Sequence, residues 1–71
     1  MFQGDRLKLL REEMNISQEE LGIMLGVSDP TINRYEKGQR QPNTTMLCKI
    51  ADYFCVSVDY LLGRKEDRLD E

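Results

Sequence analysis

Between Ser17 and Gly38 the apolar residues fall at helical spacing in two short runs, with a very brief break between them. Leu21, Met24 and Leu25 stand at i, i+3 and i+4, which puts them on one stripe of a helix. Ser17 precedes that run and Glu20 follows it by three, so each side chain can serve the other residue's backbone N–H in a capping box. Gly26 supplies the left-handed backbone that a helix end favours. Only Val27 separates it from Ser28, which can cap the next helix. Pro30 is tolerated there because the first helical turn has no intrahelical N–H bond to lose. Ile32 and Tyr35 point inward at i, i+3, and Gly38 closes the segment. The pattern predicts helices over Gln18–Leu25 and Asp29–Lys37. So short a connection makes them cross steeply, the geometry of a helix-turn-helix, and points to the reading of DNA.

The same reasoning extends to both sides. A first helix is expected over Gln3–Met14, with Leu7, Leu10 and Met14 on one face and Phe2 or Leu9 alongside. Asn15 is a left-handed terminator, and Ile16 staples the entry to the second helix. After a loop over Gly38–Pro42, Asn43 caps a helix over Thr44–Phe54 whose apolar face is Leu47, Ile50, Ala51 and Phe54. Ser57 caps a brief last helix, Val58–Leu62, ended by Gly63. Val56–Tyr60 alternates, but is too short to argue for a strand. The expectation is an all-α domain over residues 1–63, its core formed by Leu21, Ile32, Leu47, Ile50 and Phe54. A charged tail over residues 64–71 is expected to fray.

A chain of 71 residues makes one domain and buries only about 60% of its unfolded surface, so its stability margin is thin. No apolar run approaches the roughly 20 residues of a membrane span. Asp5, Arg6 and Lys8 interrupt any signal-peptide core, which makes the cytoplasm the expected location. Cys48 and Cys55 lie seven apart, about 10 Å along a helix, beyond disulfide reach. They read as small buried or half-buried apolar residues. With no histidine and no paired cysteine motif, neither a metal nor a cofactor is expected. Enzymatic chemistry is not expected either: Glu12–Glu13 and Glu19–Glu20 look like solvated helix faces, and no glycine-rich loop opens a βαβ unit.

Net charge is −3, the wrong sign for a crude nucleic-acid prediction. The distribution alters that picture. Residues 66–71 hold four acids and one base, which accounts for the whole excess and leaves the remaining 65 residues neutral. Residues 33–41 hold three bases and one acid, a weak local positive face.

Four stretches, RLKLLREEMNISQEEL, LGVSDPTINRYEKGQRQP, LCKIADYFCVS and VDYLLG, resemble the lambda-repressor/Cro-like helix-turn-helix family in order and spacing. They cover essentially residues 2–63, and the Ile32–Pro42 motif IxRYExGxxxP after SQEEL is specific. The resemblance implies a compact five-helix domain with the helix-turn-helix at its second and third helices. The third would enter the major groove of an operator duplex. It places Asp29, Pro30, Asn33 and Arg34 toward base edges. Gln18, Thr31, Lys37, Arg40, Asn43 and Thr44 fall at phosphate-contacting positions, with the loop Lys37–Gln41 alongside them. It also pairs Arg11 with Glu36 beneath the DNA-facing surface, an ion pair that would orient the third helix.

The chemistry of those residues leaves choices open. Arg34 can donate two bonds to a guanine edge, bridge phosphates, or form a surface ion pair. Asn33 can pair with adenine or simply decorate the helix surface. Asp29 can accept from cytosine N4, yet an acid at a helix N-terminus is also stabilised by the helix dipole alone. Pro30 offers only apolar contact. Gln18 can donate to a phosphate or be an ordinary exposed first-turn residue. Lys37 and Arg40 can position phosphates or remain solvated loop charges.

Family members commonly dimerise on inverted repeats. Val58, Tyr60, Leu61 and Leu62 are the candidate patch for a homodimer, which can also form only on DNA. The leading function is sequence-specific transcriptional regulation, as a repressor. An antitoxin of a toxin–antitoxin pair and an interaction module without DNA binding are the alternatives.

Overall fold

The computed structural model describes residues 1–69. Among them are five helices and no strand: α1 (Gly4–Glu13), α2 (Gln18–Leu25), α3 (Asp29–Glu36), α4 (Thr44–Phe54) and α5 (Val58–Leu61). Each start after the first is made by a local side chain. Ser17 and Glu20 form the reciprocal capping box on α2. Ser28, Asn43 and Ser57 accept the backbone N–H three residues on at α3, α4 and α5. The ends are equally local. Gly26 and Asn15 both take the left-handed conformation. Cys55 does the same at the end of α4, an unusual strain for a residue of its type.

Gly22 sets the crossing of α2 and α3. A Cβ there would lie 2.6 Å from the Val27 carbonyl oxygen, so only glycine lets the turn fold back this closely. The approach rotates the buried face of α2 toward Leu21, Gly22 and Leu25. Met24, expected in the apolar stripe, is consequently turned out and is 60% exposed. Met14 also departs from expectation: α1 stops before it, and it is 47% exposed. Beside α1 it is Phe2 that is buried, while Leu9 remains exposed.

The core gathers Phe2, Leu7, Leu10, Leu21, Leu25, Ile32, Tyr35, Ile50, Ala51, Tyr60 and Leu61. Leu47 and Phe54, expected inside, are half-buried against its edge. Both cysteines are exposed and free, contrary to the expectation of burial. At these two positions the sulfur is not needed to fill the core, because Ile50 and Ala51 occupy the inner face of α4. No helix of the described residues is long and apolar enough to cross a membrane.

The tail, expected to fray, is tied down as far as it is described; Asp70 and Glu71 lie outside the described residues. The Arg64 N–H donates to the Asp59 carbonyl at 2.9 Å, and the Ser57 N–H to that of Arg68. Arg6 donates to the carbonyls of Tyr60 (2.7 Å) and Lys65 (2.8 Å) and meets Glu66 at 3.3 Å. Arg68 grips Glu13 with two bonds of 2.8 Å. Both guanidiniums also face the Tyr60 ring, at 4.4 Å for Arg6 and 5.7 Å for Arg68. Two charges of the run, Glu66 and Arg68, thus find counter-charges on α1 while remaining in contact with water.

The hydrogen bonds from Arg68 hold the Glu13 carboxyl below its ordinary value of 4.5, and those to Glu13 raise the Arg68 guanidinium. A depressed carboxyl contributes fully above its unfolded value and is lost as pH falls through the lower folded value. Acid titration is therefore expected to shift the Tyr60 ring and Ser57 amide resonances together, with a midpoint below 4.5. In Glu13→Gln those signals should already sit at their released positions at neutral pH. Identical spectra for the two proteins would show that the latch does not hold the tail.

Candidate nucleic-acid interface

The third helix divides cleanly into two faces. Thr31, Ile32 and Tyr35 are buried. Asp29, Pro30, Arg34 and Lys37 are exposed and Asn33 is half-exposed, which makes one outward stripe at i, i+1, i+4, i+5 and i+8. Among the described residues neither Arg34, Lys37 nor Arg40 enters a salt bridge, although Arg6, Arg11 and Arg68 all do. Every cation of the 33–41 segment is therefore available to an outside anion.

A buried joint holds this helix from behind. The Arg11 Nε donates to Glu36 Oε2 at 2.6 Å, and a terminal nitrogen of the same fork donates to Oε1 at 3.2 Å. The remaining terminal nitrogen donates to the Ile16 carbonyl at 2.9 Å. One guanidinium thus ties α1, the entry to α2 and the end of α3 together. The Glu36 side chain is 2% exposed and that of Arg11 13%. The hydrogen bond to Glu36 raises the Arg11 pKa, with burial opposing it. Such a bidentate pair fixes direction as well as distance.

Gln18 joins the same cluster, its Nε2 donating to Glu36 Oε1 at 3.0 Å. Its amide carries two N–H donors, so one remains for an external acceptor. The direction of that donor is set by Glu36, a coupling that helical spacing alone does not reveal. Thr31 behaves differently. It is buried and its hydroxyl lies 2.9 Å from Ser28 Oγ, which makes it part of the α3 cap. Burial and this contact set Thr31 apart from the exposed members of the expected phosphate-facing set, a difference that a shared first-turn position does not reveal. Asn43 uses its Oδ1 to cap α4, accepting from Met46 N–H at 2.8 Å, and leaves its amide donors exposed. Thr44 and Arg40 are exposed beside it. No cluster of metal-ligating side chains is present among the described residues.

Two short helices crossing at a buried glycine, backed by three others and presenting a polar stripe, define a lambda-repressor-like helix-turn-helix domain. The helix-turn-helix family model matches residues 7–61. The chain belongs to the Cro/C1-type helix-turn-helix family.

It is 36% identical over 66 residues to the HTH-type transcriptional regulator ImmR of Bacillus subtilis, covering 93% of this chain and 52% of that one. It is 36% identical over 59 residues to repressor protein C2 of Salmonella phage P22, covering 83% of this chain and 27% of C2. An HTH-type regulator of Methanocaldococcus jannaschii, MJ0272, is 36% identical with 96% of its length covered. The chain spans about half the length of the first curated relatives it matches. The P22 c2 repressor in complex with a synthetic operator superposes with a TM-score of 0.84 at 32% identity, over 92% of this chain and 98% of that one.

Proposed function

We propose that this chain is the sequence-specific, double-stranded-DNA-binding part of a transcriptional regulator, acting as a repressor, with α3 inserted in the major groove. The outward stripe Asp29, Pro30, Asn33, Arg34 and Lys37 carries this reading, because it is mostly polar, its cations enter no salt bridge among the described residues, and it is held by the Arg11–Glu36 joint. Gln18, Arg40, Asn43 and Thr44 flank it with donors suited to phosphate oxygens. The likeness to a repressor solved on its operator supports the same docking. Occupying an operator excludes polymerase without chemistry, metal or cofactor.

One α3 reads only a few base pairs, so a homodimer on an inverted repeat supplies the rest, with half-sites about 34–36 Å apart. Tyr60 and Leu61 are consumed by the core, which leaves half-buried Val58 and Leu62 as the apolar surface for that contact.

Selection of bound duplexes from a random pool, followed by salt titration, tests the reading. Arg34→Ala is expected to relax preference at one base pair, by about 1–3 kcal/mol. Lys37→Ala should weaken all sequences alike and lower the salt slope by about one. If no duplex is retained at low salt, the fold serves protein contacts instead. A neighbouring toxin bound by this chain would favour the antitoxin reading.

A further inference from the structure

The loop between α3 and α4 carries Arg40, yet little ties it to the domain. The Gly38 N–H bonds to the Tyr35 carbonyl at 3.2 Å and that of Gln39 to Arg34 at 2.9 Å, which completes the end of α3. Bonding resumes at Asn43, whose carbonyl accepts from Leu47 N–H at 2.8 Å. Between these points, among the described residues, Arg40–Pro42 make one hydrogen bond to the rest of the molecule: the Phe2 N–H donates to Gln41 Oε1 at 2.9 Å.

The anchor at the other end is firm. The Phe2 ring is buried and meets Tyr35 edge-on at 6.4 Å. The next amide, Gln3 N–H, donates to the Leu61 carbonyl at 2.7 Å. Gly4 then passes so close under the end of α3 that a Cβ would lie 2.3 Å from the Tyr35 oxygen. Phe2 is thus pinned to α3 and α5 at once, and Gln41 borrows that rigidity for a loop with no other hydrogen bond to the domain among the described residues.

We propose that Gln41 is a positioning residue for DNA backbone binding, holding the loop on the Phe2 amide so that the Arg40 guanidinium meets a phosphate. This rests on the DNA-binding reading above. A loop already ordered in the free protein loses less conformational freedom on binding. The Gln41 amide is neutral and displaces no counterion, whereas Arg40 does. An effect of Gln41 on the salt slope must therefore act through a cation.

The test uses the full chain and a duplex chosen by selection, with binding followed by fluorescence anisotropy across a salt series. Gln41→Met keeps the length of the side chain and removes the acceptor. It is expected to weaken binding about three- to tenfold and to shift the salt slope toward that of Arg40→Ala, by up to about one. The double variant should bind no more weakly than Arg40→Ala alone, because both changes remove one contact. Base preference and cooperative thermal unfolding should be unchanged. Weaker binding at an unaltered slope, or additive losses in the double variant, would show that Gln41 touches DNA itself and would overturn the proposal. Binding of Gln41→Met indistinguishable from wild type would overturn it while leaving the DNA-binding reading intact. Wild-type protein that binds no duplex at low salt would remove both.

Discussion

Glu36→Ala is expected to destabilise the domain by about 3–5 kcal/mol, toward the lower end because Arg11 keeps some access to water. The reason is what remains behind. The Arg11 guanidinium would lose both carboxylate bonds, and the Gln18 amide would lose its acceptor. The Ile16 carbonyl alone would be left to compensate a mostly buried cation. Changing both partners, Arg11→Met with Glu36→Leu, should cost much less than the sum of the single changes, since neither charge is then stranded. Urea unfolding of the four proteins gives the coupling energy directly; additive losses would mean that the pair does not act as a unit. DNA binding separates stability from orientation. A double variant that folds well but binds weakly would show that the ion pair exists to aim α3.

Leu21→Ala carries the second large effect, a loss of about 2–5 kcal/mol. Leu21 is fully buried in the central cluster of the core. It stands one residue before Gly22, where the backbone of the α2–α3 turn lies too close for the walls to collapse freely into the gap. The size of the loss matters because a small domain has only about 5–15 kcal/mol in all. Met24→Ala, three residues or about five-sixths of a turn further along the same helix, is the control. It is exposed and should change stability by about half a kcal/mol or less. Thermal or urea unfolding distinguishes them, and comparable losses at both sites would place the wrong face of α2 inside.

The contrast between Leu21 and Met24 shows how far periodicity carries. An i, i+3, i+4 pattern identifies the apolar stripe of a helix but not its centre. In an eight-residue helix the centre was set by Gly22, a residue that contributes to the contact by having no side chain. Leu47 and Phe54 sit half-buried for a related reason, since Ile50 and Ala51 already fill the inner face of α4. For the candidate site, the exposed stripe of α3 follows from helical spacing once Ile32 and Tyr35 are placed inside. The engagement of Gln18 by Glu36, the burial of Thr31 against Ser28 and the Phe2–Gln41 bond do not follow from it.

What the chain by itself determines is therefore the local grammar: five helices, the last four with starts marked by Ser17, Ser28, Asn43 and Ser57, and stops at Asn15 and Gly26. These features act over three or four residues, so their energetics are written in adjacent letters. Tertiary structure alone decided the tail latch between Glu13 and Arg68, 55 residues apart, and the loop anchor between Phe2 and Gln41, 39 apart. Such contacts exist only after the core has brought distant segments within hydrogen-bond reach, and no local spacing encodes that distance.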